Sequence, residues 1–369
     1  MRIKPQLLRA VKSLRRRLRN GGRSLLVCEP ASEAAAGPVA GAGVSDASEP
    51  PHLISITSAG HDYTLRCVSE ALAARGLRHE LWTYPQLFRA QQLPRSAYIF
   101  TDFDRLHPWQ IELAARFHAR LRQQDQTVLN DPRHFVPRTA LLRRLHHAGI
   151  NRFTCWLPGE AERPDRFPVF LRTIHAHRGV ESGLLHDPTA AEQALERALD
   201  RGLVICDLAF VEYAAEPSDG SGRFRKHACY GIDGRMIRAL SVTDTGWVAK
   251  HGILGAASED DYANDLAEHL SYPHGGLMRE VFTLAGVEFG RIDYGMVAGR
   301  PQIYEINTNP AIAWTGSHPS ADRIEVDRLI REEIIEALAE LSGSRGVGAA
   351  IDVSDLVPQD PPGAEFGQP

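Results

Sequence analysis

The sequence holds little that would staple, span or chelate. Five cysteines, Cys28, Cys67, Cys155, Cys206 and Cys229, are spread over 369 residues, and no two stand within four positions of each other. That spacing excludes a CxxC zinc site and gives no disulfide framework. An odd, scattered set reads as buried small hydrophobes in a reducing compartment, so a cytoplasmic location is expected. No run of about eighteen apolar residues occurs, and a spanning helix is not expected. The first twenty residues lack the apolar centre of a secretory signal. Several nucleotide and hydrolase signatures are missing too. There is no GxxxxGK[ST] and no HExxH. Gly41-Ala42-Gly43 lies in a linker rather than after a strand, and Gly179-Val180-Glu181-Ser182-Gly183 misses the GxSxG spacing by one residue.

What is present is ordinary in bulk. Hydrophobic residues make up 43% and charged residues 24%. This is a soluble globular composition, and the length suggests about two domains. The formal net charge is −4, but residues 1–27 hold nine Lys/Arg and no acid, which leaves −13 for the rest. An acidic body argues against nucleic-acid binding. In the arm, Leu7, Val11, Leu14 and Leu18 share one helical stripe. One reading is weak contact with an anionic membrane surface through residues 1–20, and another is a targeting presequence. A solvated basic arm, or a helix docked on the acidic body, is preferred. Residues 28–51, rich in Ala, Gly, Ser, Pro and Glu, read as a flexible linker.

From His52 onward the pattern becomes regular. Leu53–Thr57, His79–Thr83 and Ala97–Thr101 read as strands, with a helix over Thr64–Arg75 stopped by Gly76 and another over Pro108–Gln123. Strand–helix–strand with short links predicts a small parallel α/β domain over 52–130. Asn130-Asp131-Pro132 punctuates the chain. A second domain, over 131–342, opens with a helix at 136–148. Strands follow at Pro168–Arg172, Leu203–Tyr213, Arg225–Gly231, Arg235–Ser241, Phe289–Val297 and Pro301–Asn307. Helices are expected at 189–201, 260–285 and 319–342. Residues 343–369, rich in Gly, Pro and acids, read as a disordered tail. The fold class is α/β, turning to α+β in the C-terminal part.

The most informative segment runs from Gly290 to Pro310 and includes Arg291-Ile292-Asp293, Glu305-Ile306-Asn307 and Asn309-Pro310. It reads as two strands joined by the loop Ala298-Gly299-Arg300. With Val297 facing Pro301, Asp293 lies opposite Glu305, and Glu305 and Asn307 share a face. Two carboxylates and an amide oxygen so close favour a hard cation such as Mg²⁺, although carboxylates paired with Arg would look the same in sequence. Mg²⁺ held by so few carboxylates usually completes its shell with phosphates. A phosphate binder is sought in the strand ending at Arg172 and the loop after it, with His175, His177, Gly179, Ser182 and Gly183; an ordinary surface loop is the other reading. Lys226, beside Arg225 after the Gly-rich turn Asp219–Gly222, and Lys250, after Trp247, are cations that could face the same cleft, with solvated strand ends as the alternative.

Taken in order, these segments resemble the ATP-grasp superfamily. The last is similar to the metal-binding end of D-alanine–D-alanine ligase-like carboxylate–amine ligases. The likeness extends over about residues 52–342 and is most specific at 290–310. It implies an ATP-grasp fold preceded by a small Rossmann-like pre-ATP-grasp domain. It implies ATP as co-substrate and two Mg²⁺ ions on Asp293, Glu305 and Asn307. Arg172 and Arg138 stand where the family usually has lysines on the nucleotide, and Ala311 stands where a Gly usually follows the motif's Pro. Glu212 matches the hinge that reads the adenine, and Arg291 the position that steadies the acyl intermediate. The activity so implied is an ATP-dependent ligase that joins a carboxylate to an amine, such as an amino acid or peptide, through an acyl phosphate, with release of ADP. A kinase on the same fold and a non-catalytic nucleotide-binding module are the alternatives, and a homodimer is the default expectation.

Overall fold

The computed structural model describes residues 52–175, 179–218, 222–250, 252–314, 316–343, 346 and 348–357. The expected basic arm and linker, His177, Asp219, Gly220, Ser221 and residues 358–369 lie outside the described residues.

The chain first builds a four-stranded parallel sheet from β1 (Leu53–Thr57), β2 (His79–Thr83), β4 (Ala97–Phe100) and β5 (Val128–Leu129), in the order β2-β1-β4-β5. All five residues of β1 are buried, as a strand covered on both faces must be. Leu53 and Ile99 enter one core, Ile54, Ile56, Tyr98 and Phe100 the other. Helix Pro108–Gln123 covers the second face with Leu113, Phe117 and Leu121. The expected tail is partly a structural element. Ile351–Asp352 (β13) pairs antiparallel with Gln92–Leu93 (β3), and Ile351 and Val353 are buried. Two apolar residues in a polar context give too short a pattern to read as a strand, which is why composition misled here.

Two antiparallel sheets follow. One has the order β6-β8-β7, from Cys155–Trp156 (β6), Val169–Thr173 (β7) and Leu208–Glu212 (β8). The other has the order β10-β9-β11-β12, from Phe224–Ile232 (β9), Arg235–Asp244 (β10), Phe289–Val297 (β11) and Arg300–Asn307 (β12). In β7, Val169, Leu171 and Thr173 are buried while Phe170 and Arg172 are only partly so, the period-2 alternation of a strand with one open face. The large sheet is covered by helix Gly275–Ala285 through Met278, Val281 and Phe282. Its other face meets the long helix Ala321–Gly343 through Val326, Ile330, Ile334, Leu338 and Leu341. The helix expected over 260–285 is two helices, Glu259–Ser271 and Gly275–Ala285; Tyr272, at φ 29°, and Pro273 break it. No helix of the described residues is long and apolar enough to cross a membrane.

The β11–β12 hairpin differs from expectation in detail but not in outcome. Its loop is two residues, Ala298 and Gly299, both at positive φ, and Val297 pairs with Arg300 rather than Pro301. Such a turn matches the twist of the strands. A bulge between Asp293 and Tyr294 then passes over Tyr304 and restores the pairing of Asp293 with Glu305. Gly295 makes the bulge possible, because a β-carbon there would collide with the Tyr304 hydroxyl.

Asparagine side chains stitch the layers together. Asn130 donates Nδ2–H to the carbonyls of Phe100 and Phe289, and its Oδ1 accepts from Glu288 and Phe289 N–H. Asn151 does the same with both backbone groups of Ile303. Each side-chain amide mimics a missing strand, satisfying buried backbone groups where two elements meet.

Candidate active site

The two antiparallel sheets face each other across a cleft. Phe170 and Arg172 reach it from β7, Val211 and Glu212 from β8, Lys226 from β9, Asp293 from β11, and Tyr304 and Glu305 from β12. Alternation puts Phe170 and Arg172, two apart, on the partly open face of β7.

One end of the cleft is apolar and aromatic. Trp247 lies 4.8 Å, centroid to centroid, from Phe170 and 5.7 Å from Tyr213. Leu142, Phe153, Val211 and Met296 complete this end. The Tyr304 hydroxyl donates to the carbonyl of Ala214 and fixes that wall. Glu212, at the end of β8, accepts from Thr154 N–H at 3.2 Å and pairs with Arg166 at 3.0 Å. Burial raises its carboxyl above the usual range despite Arg166.

The other end is densely charged. Asp293 is 2% exposed. Its Oδ2 pairs with Lys226 Nζ at 2.9 Å and its Oδ1 with Arg291 Nε at 2.8 Å. Burial opposes ionisation, but Arg291 and Lys226 outweigh it and hold the carboxyl below its ordinary value. Glu305 pairs with Arg138 Nη2. Asn307 Oδ1 accepts from Asn309 N–H at 2.9 Å. Burial pushes the Arg138 guanidinium down, although Asp104 and Asp293 support it, and its Nη1 is buried with no hydrogen-bond partner.

Arg172 is the more telling group. Burial, and then the like charge of Arg138, push it down to about 9. Among the described residues its one hydrogen bond is to its neighbour's carbonyl, Thr173 O, at 3.2 Å, and no carboxylate pairs with it. A guanidinium pushed down by burial and by a neighbouring guanidinium, with no acid beside it to offset them, marks a local excess of positive charge. Anions relieve such an excess, and phosphates fit guanidinium geometry well.

The residues singled out from sequence fare differently. Arg172, Glu212, Lys226, Lys250, Asp293 and Glu305 all line the cleft. Arg138 and Asn307 line a smaller adjoining pocket with His175 and Thr308, and the Arg138–Glu305 pair stands between the two. Arg291 is paired with Asp293 beside the cleft and is 24% exposed; burial opposes its charge, but Asp293 and Tyr230 raise it. Ser182 and Gly183 do not line the cleft. Ser182 Oγ accepts from Leu171 N–H and donates to the Gly183 carbonyl, so this part of the loop closes on β7. Gly179 and Val180 line the cleft instead; a β-carbon on Gly179 would stand 3.1 Å from Lys250 Nζ. His175 pairs with Asp207 at 2.8 Å. The sequence reading did not assemble the aromatic end. Its signal, apolar residues on the open faces of β7 and β8, becomes meaningful only when Trp247 arrives from a distant loop.

The donor types suit a hard divalent ion: two carboxylates on directly opposed residues and an amide oxygen two residues along the same strand; both carboxylates are already paired, Asp293 with Lys226 and Arg291 and Glu305 with Arg138, so an ion there would need phosphate oxygens to offset those cations. A second cluster shows what does not. Ligand atoms of His227, Asp265 and Glu268 converge among the described residues. Three guanidinium groups already surround Asp265, however: Arg238 at 2.6 Å, Arg225 at 2.9 Å and Arg323 at 3.5 Å. A divalent cation placed there would meet three like charges. The cluster instead ties helix Glu259–Ser271 to β9 and β10, and through Arg225 it braces the strand that carries Lys226.

No protein-family model and no curated protein matches the chain. Among solved structures it is similar to the ATP-grasp ligase PsnB complexed with minimal precursor, with 15% identity and a TM-score of 0.49 over 79% of this chain and 99% of that one. It is also similar to D-alanine–D-alanine ligase from Bacillus anthracis complexed with ATP, with 13% identity and a TM-score of 0.42 over 76% and 99%. A third is the RimK domain protein ATP-grasp from Sphaerobacter thermophilus DSM 20745, with 18% identity and a TM-score of 0.44 over 78% and 99%.

Proposed function

We propose that the cleft binds ATP and that the protein is an ATP-dependent ligase joining a carboxylate to an amine with release of ADP. The observation that carries this reading is the pairing of a partly buried cation, Arg172, with no acid partner among the described residues, with an aromatic slot at one end and opposed carboxylates at the other. A purine fits the slot of Phe170, Val211, Trp247 and Met296, with Glu212 and the residues after it along its edge. A polyphosphate fits the end where Arg172, Arg138, Lys226 and Lys250 supply positive charge. Asp293, Glu305 and Asn307 would hold Mg²⁺, which when bound neutralises phosphate charge.

The chain's own groups then have defined tasks. Phosphoryl transfer needs positioning and electrostatic stabilisation more than a protein nucleophile. Arg172 holds phosphate oxygens bidentately, as a lysine could not. Lys226 bridges the two functions, since it pairs with Asp293 and faces the cleft. A substrate carboxylate oxygen attacks the terminal phosphorus, the bond to ADP breaks, and an acyl phosphate forms. An amine attacks the carbonyl carbon, phosphate leaves with the bonding electrons, and the proton passes to a base. Arg291, held by Asp293, steadies the oxyanion of that second step; one such donor is worth about 3–4 kcal/mol in other acyl-transfer enzymes. Closure by the segment around Gly179 excludes the water that would hydrolyse the acyl phosphate.

The test is a screen of amino acids, short peptides and dicarboxylates for ADP production that needs both a carboxylate and an amine. ADP formation that requires both components supports the reading. AMP and pyrophosphate as products would reject it. ADP formation with a hydroxyl substrate, unaffected by Arg291→Ala, would replace it with a kinase.

A further inference from the structure

The parallel sheet carries a further cluster of polar groups, tied through Asn309 to Asn307 at the end of β12. From β1 the chain turns to β2 on one side, and β4 lies on the other, so the carboxyl ends of β1 and β4 form the topological switch point of the sheet. Ligands of open parallel sheets bind in the crevice at such points. Ser58 directly follows β1, His61 comes three residues later, and Asp102 stands two residues beyond β4.

Their polar atoms are left incomplete. Ser58 Oγ and His61 Nδ1 are both buried with no hydrogen-bond partner. Leaving such groups unmet is costly, so each asks for a ligand. The Asp102 side chain is 2% exposed, and its Oδ2 lies 3.9 Å from His61 Nδ1, too far for a hydrogen bond between them. Oδ1 is occupied by Arg105 Nε at 2.9 Å and, among the described residues, Oδ2 accepts only Ser58 N–H at 3.2 Å, so a carboxylate lone pair remains. Asp102 sits in the left-handed region at φ 64°, which aspartate tolerates.

We infer that Ser58, His61 and Asp102 form a subsite for the primary ammonium group of a substrate. An ammonium has three N–H donors and no acceptor. These residues offer three acceptors: the Ser58 hydroxyl, the Asp102 carboxylate and the His61 imidazole, whose Nδ1 accepts when its proton is on Nε2. A carboxylate or phosphate would be repelled by Asp102.

The position deepens the ligase reading and rests on it for the identity of the ammonium as the attacking amine. Thr308 Oγ1 accepts from Asp102 N–H at 3.1 Å. Asn309 donates to Thr57 Oγ1 and to the His61 carbonyl, and its backbone N–H donates to Asn307 Oδ1. One hydrogen-bonded chain therefore runs from His61 and Asp102 to the end of β12. A seated amine loses one N–H proton to His61 Nδ1, and the freed lone pair attacks the acyl carbonyl.

The experiment titrates the full-length protein with methylammonium chloride and, separately, with tetramethylammonium chloride, which has no N–H. The His61 ring nitrogens are followed by NMR and assigned with His61→Asn. The expected result is a saturable shift with methylammonium, none with tetramethylammonium, and at least tenfold weaker saturation in Ser58→Ala and in Asp102→Asn. Asparagine tolerates the left-handed backbone at position 102, so the second variant removes charge without strain. No saturation by methylammonium, or equal response to both salts, would overturn the inference. A parallel assay separates it from the ligase reading: wild-type protein with ATP, hydroxylamine and a pool of amino acids and dicarboxylates should form acyl hydroxamates. If hydroxamates form but methylammonium does not saturate, the subsite fails and the ligase stands. If methylammonium saturates but no hydroxamate forms, the subsite stands and the ligase fails.

Discussion

Arg238, fully buried, and Arg172, partly buried, both stand on β-strands, yet their charges are treated in opposite ways. Burial works against both. Around Arg238, Asp265 and Glu268 overcome it and raise the guanidinium above its usual value. Around Arg172 nothing overcomes it, and Arg138 adds to the depression. The first cluster is electrostatically closed: Arg225, Arg238 and Arg323 converge on Asp265, with Ser241 donating to the same carboxylate. The second is open. Convergence of ligand atoms is therefore a poor sign of a binding site when the counter-charge is already present. Unbalanced charge beside an apolar slot is a better one, because the missing partner must come from outside the chain.

The sharpest way to break the comparison is to open the closed cluster. Asp265→Asn should destabilise the protein by about 3–5 kcal/mol, the usual cost of leaving buried charges unpaired, read as a loss in denaturant midpoint. The same variant has a pH signature. Arg225 and Arg238 overcome burial to hold the Asp265 carboxyl below its unfolded value, so its contribution is complete above that value, about 3.9, and is lost as pH falls through the lower folded value. Wild type should therefore lose stability in acid more steeply than Asp265→Asn.

Removing the open charge should do the reverse. Arg172→Met should stabilise the nucleotide-free protein by roughly 0.5–2 kcal/mol, as relief of a destabilised site commonly does. It should also abolish most of the melting-temperature rise produced by Mg-ADP. If the apo protein is instead destabilised and nucleotide stabilisation persists, the two arginine sites do not differ as argued. The apolar end gives a comparable test: Gly295→Ala forces Tyr304 from its place and should cost about 1–3 kcal/mol, with weaker nucleotide binding. The smallest expected effect is Glu268→Gln. This carboxylate is 42% exposed, and its loss should change stability by less than about 1 kcal/mol. Mn²⁺ or Zn²⁺ should give no thermal stabilisation that this variant removes.

Much of the site was legible in the sequence because its spacing is local. Two residues apart on a strand means the same face, so Glu305 with Asn307 followed directly. The opposition of Asp293 and Glu305 was reached through two compensating differences: a loop one residue shorter than expected and a bulge one residue long at Tyr304. Spacing could not show which cations already neutralise which acids. Arg138 on Glu305 and Lys226 on Asp293 are meetings of distant segments, as are Trp247 on Phe170 and the pairing of β13 with β3. Ser182 was misassigned because a hydroxyl in a Gly-containing loop looks the same whether it faces a ligand or closes on its own strand.

The central claim is that the open charge is the phosphate end of a magnesium-dependent nucleotide site. It is tested most directly by equilibrium binding of a fluorescent ADP analogue with and without Mg²⁺, in wild type and in Asp293→Asn/Glu305→Gln. The account predicts saturable binding that Mg²⁺ strengthens by an order of magnitude or more in wild type, with that enhancement lost in the double variant. Absence of binding, or the same Mg²⁺ enhancement in both proteins, would contradict it.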